Sequence, residues 1–272
     1  VLFFVFWEIV LIPMFFLIGR WGEEGRTYAA IKFFVYTQLG SSILLVSILV
    51  MYAVSFPHTF NMIQLAAQGF DPLLQVWLAI GILIGCGVKL PIFPLHNWLP
   101  DAHVKAPTPI SVVLAGILLK MGGYGLLRLG VSLVPEGMMA LSPLFAALAV
   151  FTIIYAALVA LAQSDFKVLV AYTSINHMSF VLLGVAIGTS LAISGAVFQM
   201  FSHGVIVSIL FLVSGMFKYN AGTREIPRLA GLSTKAPRIS SLLVLSSLAA
   251  FGLPGLSGFM AEFMVIVSSL SV

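Results

Sequence analysis

Apolar runs of about twenty residues recur along this chain, and nothing constrains its fold more. Roughly eight can be marked, over 1–19, 28–55, 73–95, 109–130, 137–162, 168–188, 191–217 and 239–270. A helix of about 20 apolar residues spans a hydrocarbon layer about 30 Å thick while satisfying its own backbone. Charged residues make up 8% of the sequence, against about a quarter in soluble domains. The expectation is an all-α, polytopic membrane protein with about eight transmembrane helices.

The placement of the basic residues supports that count. With strict alternation of direction, one side collects Arg20, Arg26, Lys105, Lys167, Lys218, Arg224, Arg228, Lys235 and Arg238, and the other only Arg128. Cytoplasmic loops carry the excess of Lys and Arg, so the first side is expected to be cytoplasmic. The net charge of +4 is accounted for by these loops. No basic cluster is interleaved with exposed aromatics, so nucleic acid is not expected as a partner. The single cysteine, Cys86, lies in an apolar run and reads as a small packing residue.

The last span contains FGLPGLSGF, a Gly/Pro break like LPIFP in the third. An odd offset of five spans makes the two broken helices run in opposite directions, the signature of an inverted repeat whose broken helices flank a transport path. A single transmembrane domain, 1–272, is therefore expected to hold most of one five-helix repeat in 1–130 and most of its inverted partner in 137–272. The chain opens inside an apolar run, VLFFVFWEIV, and stops without a polar cap. On that ground it is expected to be the middle of a longer protein, truncated at both ends, with its helix count a minimum.

Ionisable residues at membrane depth fall one to a span: Glu8, Lys89, Lys120, His177, His203 and Glu262. Each costs a few kcal/mol to insert, so its default reading is a place in an ion or proton path. Six groups spread over six helices suit a relay, in which each exchanges a proton with the next, better than a single nucleophile or metal centre. Burial disfavours the charged form of such a group and an opposite charge favours it, so making or breaking one ion pair loads or releases a proton. Lys89 precedes Pro91 and Pro94, and Lys120 precedes Gly122, Gly123 and Gly125, so both are expected beside loosened backbone.

Blander readings exist for each: a permanent counter-ion for the carboxylates and lysines, a bond within the helix for the histidines. Lys32 and Arg128 lie near span ends and read as snorkelling anchors. His96, Asp101 and His103 between the third and fourth spans are ligand-like, but they lack a recognisable spacing and a fourth ligand, so no metal site is expected. No Gly-rich phosphate loop, Ser/His/Asp set or CxxC pair occurs, so no cofactor is expected in this chain.

These residues resemble a known family, the antiporter-like proton-pumping subunits of respiratory complex I and its relatives. The resemblance rests on FWE at Glu8, KLPIFPLHNWLPDAHVKAPTPISVVLAGILLKMGGYGLLR from Lys89 to Arg128, SDFKVLVAYTSINHMSF from Ser164, FSHG from Phe201 and GLPGLSGFMAEFM from Gly252. It covers essentially the whole chain. It implies that the carboxylate matching Glu8 pairs with the lysine matching Lys89. It further implies that the lysine matching Lys120 carries protons along a hydrated axis, with His177 and His203 beside it. Glutamate at 262, where most paralogous subunits carry lysine, resembles the subunit 4 type.

Iron–sulfur clusters, flavin and quinone are then expected in partner subunits, and the partners are other membrane-arm subunits, the lipid bilayer and protons. The membrane expected first is the plasma membrane of a bacterium or archaeon, then the thylakoid, with the mitochondrial inner membrane behind both. Rival readings are a subunit of an Mrp-type cation/proton antiporter, of a membrane-bound hydrogenase, or a scaffold without transport.

Overall fold

The structure, a computed structural model, describes residues 1–270. Among the described residues, seven helices are long and apolar enough to cross a membrane: α1 (Leu2–Trp21), α2 (Arg26–Val54), α3 (Pro72–Lys89), α4 (Thr108–Val131), α5 (Ser142–Leu161), α6 (Phe166–Ile187) and α7 (Ser190–Ala221). The eighth expected span is two shorter apolar helices, α8 (Pro237–Ala250) and α9 (Ser257–Ser269), separated at the Gly/Pro break. The architecture is all-helical and polytopic, as the apolar runs require.

Local chemistry sets the helix ends. Asp71 caps α3 by accepting from the amides of Leu73 and Leu74, with Pro72 at the first helical position, where its missing N–H costs nothing. Asp165 caps α6 through the amides of Lys167 and Val168, and Gly188 closes that helix in the left-handed conformation. α3 stops at Lys89 because Pro91 and Pro94 cannot continue it, and the chain resumes helix only at Trp98–Lys105.

α1 is itself interrupted at Val10, between Leu2–Ile9 and Leu11–Trp21. Pro13 lies four residues after Ile9 and lacks the N–H that would bond the Ile9 carbonyl. α4 carries two π-helical stretches, Leu114–Leu118 and Leu126–Val131, on either side of Lys120. The loosening expected around Lys120 therefore comes from widened turns. The glycines after it serve close packing instead.

Small residues let the helices approach. A Cβ on Gly122 would lie 2.6 Å from the Leu90 nitrogen and 2.8 Å from the Cys86 oxygen, so α4 rests directly on the broken end of α3. A Cβ on Gly85 would lie 2.6 Å from Cβ of Leu44 in α2, and one on Gly195 3.1 Å from the Ala261 oxygen in α9. Cys86 is free and buried, and a Cβ on Gly125 would meet its sulfur at 2.6 Å. Large apolar side chains such as Phe16, Leu39, Trp77 and Leu158 stay exposed on the outside. On a soluble protein that much apolar surface would be an aggregation hazard; on this one it faces lipid.

The four loops rich in basic residues meet at one end of the bundle. The Glu23 amide donates to the Lys105 carbonyl at 2.8 Å, that of Phe166 to Arg224 at 3.0 Å and that of Ile226 to Ser164 at 2.9 Å. At the opposite end Gln75 accepts from the amides of Glu136 and Gly137, and Ser142 donates to the Ala186 carbonyl. Strict alternation is therefore the geometry of the fold.

Candidate functional site

The break in α9's approach, the widened turns of α4 and the middle of α6 and α7 converge on four of the six expected residues. In α4 the π-turn frees the Ala115 carbonyl, which accepts from the Lys120 ammonium. The same ammonium contacts Nδ1 of His203 on α7. When Lys120 is an ammonium it can only donate, so Nδ1 then accepts and the ring proton falls on Nε2, which is buried and without a partner.

The rings of His203 and His177 are 5.7 Å apart, edge to face. His177 Nε2 lies 3.1 Å from the Ala250 carbonyl, the last residue of α8, and 3.8 Å from a Glu262 oxygen on α9. Lys120, His203, His177 and Glu262 thus form one contiguous line across α4, α7, α6 and α9. The Gly/Pro break ends α8 beside His177, which leaves the Ala250 carbonyl free for it.

Two residues outside the expected six support the end of that line. Gln199, buried and one turn before His203, donates from Nε2 to Glu262 Oε1 at 3.3 Å. Ser202 donates to Ser257 at 2.8 Å and holds the start of α9 to α7. Both are uncharged, and a scan for ionisable groups in apolar spans passes over them. Their signal is position: Gln199 precedes His203 by four residues, which places both on one helix face.

Lys89 and Glu8 are arranged otherwise than the resemblance implies. No contact within 4 Å joins their charges among the described residues. The Lys89 ammonium donates to the Trp7 carbonyl at 2.7 Å and lies 3.7 Å from the centre of the Trp7 ring. Glu8 Oε1 is buried with no hydrogen-bond partner. Glu8 also borders an open groove of about 390 Å³ with Phe4, Val5, Ile9, Phe34 and Gln38. Gly122 sets Lys120's helix against the end of Lys89's helix, but no hydrogen bond or ion pair joins the two lysines among the described residues.

Three further polar residues depart from their sequence reading. Lys32 is not a free anchor but pairs with Asp101 at 2.6 Å, on the loop between α3 and α4. Lys167, read as an ordinary loop cation, is buried and donates to the Ala106 carbonyl at 2.6 Å. It lies two residues after the capping Asp165, whose side chain accepts from its amide at 2.7 Å. His103 is buried, stacked on Phe211 at 4.6 Å, with neither ring nitrogen bonded. Burial, followed by the charges of Lys167 and Lys120, pushes its pKa down to about 3, which favours the neutral ring. His96, Asp101 and His103 do not form a metal-holding group, nor does any other such set among the described residues.

At the basic end, Glu23 accepts from Lys218 at 2.9 Å and from both terminal nitrogens of Arg224 at 2.8 and 3.1 Å. Arg224 also reaches Asp165 at 3.3 Å. Burial pushes the Glu23 carboxyl up, but the bonds from Lys218 and Arg224 outweigh it and hold the group below its ordinary value of 4.5.

The NAD(P)H-quinone oxidoreductase chain 4 of Gloeobacter violaceus is 46% identical over 267 residues, 98% of this chain and 51% of that protein. A chain of respiratory complex I from Thermus thermophilus with bound NADH superposes with a TM-score of 0.94 at 35% identity, over 99% of this chain and 58% of that one. A chain of the Mrp complex from Dietzia sp. DQ12-45-1b gives 0.89 at 25% identity, over 99% and 51%. The chain spans about half the length of the curated relatives it matches. The family described as NADH:quinone oxidoreductase/Mrp antiporter, TM, matches residues 1–272, and the chain belongs to that family.

Proposed function

We propose that this chain is a proton-translocating membrane-arm subunit of a complex I-type quinone oxidoreductase. It moves protons along Lys120, His203, His177 and Glu262, and Glu8 and Lys89 supply the charge pair that drives them. The observation that carries this reading is the unbroken side-chain line from Lys120 through the two histidines to Glu262, built at a helix break and between two π-stretches. Each member has a neighbour that can exchange a proton with it, directly or through one water. When Lys89 loses or regains Glu8 as counter-ion, the electrostatic change reaches Lys120 through the α3–α4 contact at Gly122. Moving one charge against 100 mV requires about 2.3 kcal/mol, within what a change of partner at one buried charge supplies.

Electron transfer belongs to partner subunits that hold flavin, iron–sulfur clusters and quinone. The segments 1–130 and 137–272 are taken to hold most of two five-helix repeats related by inversion, a reading supported by the breaks after Lys89 and after Ala250. The membrane is the plasma membrane of a bacterium, with the thylakoid as alternative, and the basic end is cytoplasmic.

An Mrp-type antiporter subunit is the second reading, favoured by the superposition on the Dietzia complex. The complex containing this chain, purified from native membranes and reduced with NADH, NADPH or ferredoxin, separates the two. Low-temperature electron paramagnetic resonance is expected to show reducible iron–sulfur signals. An intact complex without them would replace the redox reading by cation/proton antiport.

A further inference from the structure

The position of Lys89 poses a question that the relay leaves open. A buried ammonium is held on the aromatic face of Trp7 and away from Glu8, the next residue, while the Glu8 carboxylate keeps an oxygen buried and unbonded. We propose that the face of Trp7 is a second seat for the Lys89 ammonium, alternative to the Glu8 carboxylate, and that Trp7 is a positioning residue for proton transfer. This rests on the reading of Lys89 as a working member of the pump.

Four observations build the seat. The ammonium lies 3.7 Å from the Trp7 ring centre, well inside the roughly 6 Å range of a cation–π contact. Its second contact is the Trp7 carbonyl at 2.7 Å, so one residue supplies both a π face and a lone pair. The ring cannot rotate away: its Nε1–H donates to Ser41 Oγ on α2 at 2.9 Å, Phe3 packs on it at 5.4 Å, and it is fully buried. Behind it, Gly125 leaves the ring its space, since a Cβ there would lie 3.5 Å from Trp7 Cζ3 and 2.6 Å from the Cys86 sulfur.

The second seat is adjacent. Glu8 follows Trp7 on the same helix, so trading ring and carbonyl for carboxylate moves the ammonium to the neighbouring residue of α1. Glu8's unbonded buried oxygen is an acceptor awaiting a donor. Without the ring, opening the Glu8–Lys89 pair would strand a buried charge, which costs several kcal/mol and would hold the pair shut. With it, both positions of the ammonium are solvated by protein, and the pair becomes a two-position switch. Among the described residues, the titratable groups that act on Lys89 are Glu8 of α1 and Cys86 of α3.

The test weakens the π face without changing its shape. Mono-, di- and trifluorotryptophan are introduced at position 7 alone by nonsense suppression, in the assembled complex reconstituted in proteoliposomes. Protons moved per quinone reduced are expected to fall stepwise with fluorination, by roughly twofold to tenfold across the series. Assembly, read from the subunit content of the purified complex, is expected to match the parent. Trp7→Phe should fall between the parent and Trp7→Leu. A flat fluorination series would overturn the proposal, because a purely structural tryptophan tolerates fluorine. Lys89→Met separates the two levels: if it pumps as the parent does, the role of Lys89 in the relay fails first. If Lys89→Met stops pumping and the series is flat, only the seat on Trp7 fails.

Discussion

Charge placement in this protein follows a recurring pattern at the residue scale, in which a buried polar group takes a backbone carbonyl as its partner. Lys120 uses a carbonyl freed by a π-turn, His177 one freed by a helix break, and Lys167 a carbonyl at the end of Trp98–Lys105. The Glu23 cluster at the basic end gives a prediction with a sign. Its carboxyl is held below the ordinary value, so the stability it contributes is complete above about pH 4.5 and is lost as the pH falls through its lower folded value. Glu23→Gln should lower the thermal-inactivation temperature of the assembled complex at pH 7, and the gap to the parent should close as the pH drops below 4.5. A gap independent of pH would mean that the carboxylate's charge is not what ties the loops together.

The six ionisable residues were legible because their insertion cost makes them stand out of apolar runs. Their partners were not. Gln199 and Ser202 are polar but uncharged, and Trp7 looks like any apolar helix residue until Lys89 is found on its face. The separation of Lys89 from Glu8 is likewise invisible in sequence, since it depends on a lysine rotamer. Lys167 was misread because adjacency to a loop does not say which way a side chain turns.

At the scale of elements, the breaks were legible in Gly and Pro, and the π-stretches were not. LPIFP and FGLPGLSGF stop helices for stated steric reasons, and α3 ends at Lys89 while α8 and α9 part where expected. The widened turns around Lys120 have no such residue signature. Of the glycines that seemed to mark loosening there, Gly122 and Gly125 hold α4 against α3 and Gly123 holds it against α6 and α7; the α3 contact is predicted to carry coupling. Gly122→Ala would push a methyl group to within 2.6 Å of the Leu90 backbone nitrogen, which cannot yield as a side chain can. The cost should be about 1–3 kcal/mol of stability. Proton pumping should fall by more than quinone reduction does, measured together in reconstituted vesicles. An equal fall in both would assign the contact to stability alone.

The whole molecule is a bundle whose two ends differ in charge and whose middle carries the relay. Alternation of direction was readable because nine of its cations would scatter under any other count, and the loops that hold them do meet at one end. The inversion of the two halves remains a proposal built on equivalent breaks. The measurement that tests the account most directly is the ratio of protons moved to quinone reduced by the assembled complex carrying Lys120→Met, in proteoliposomes with a pH-sensitive dye. Lys120 is the one residue through which α4's charge reaches both histidines. The account predicts a fall of roughly tenfold or more in proton movement, the scale expected on losing a proton-transfer group. A ratio equal to the parent's would contradict it.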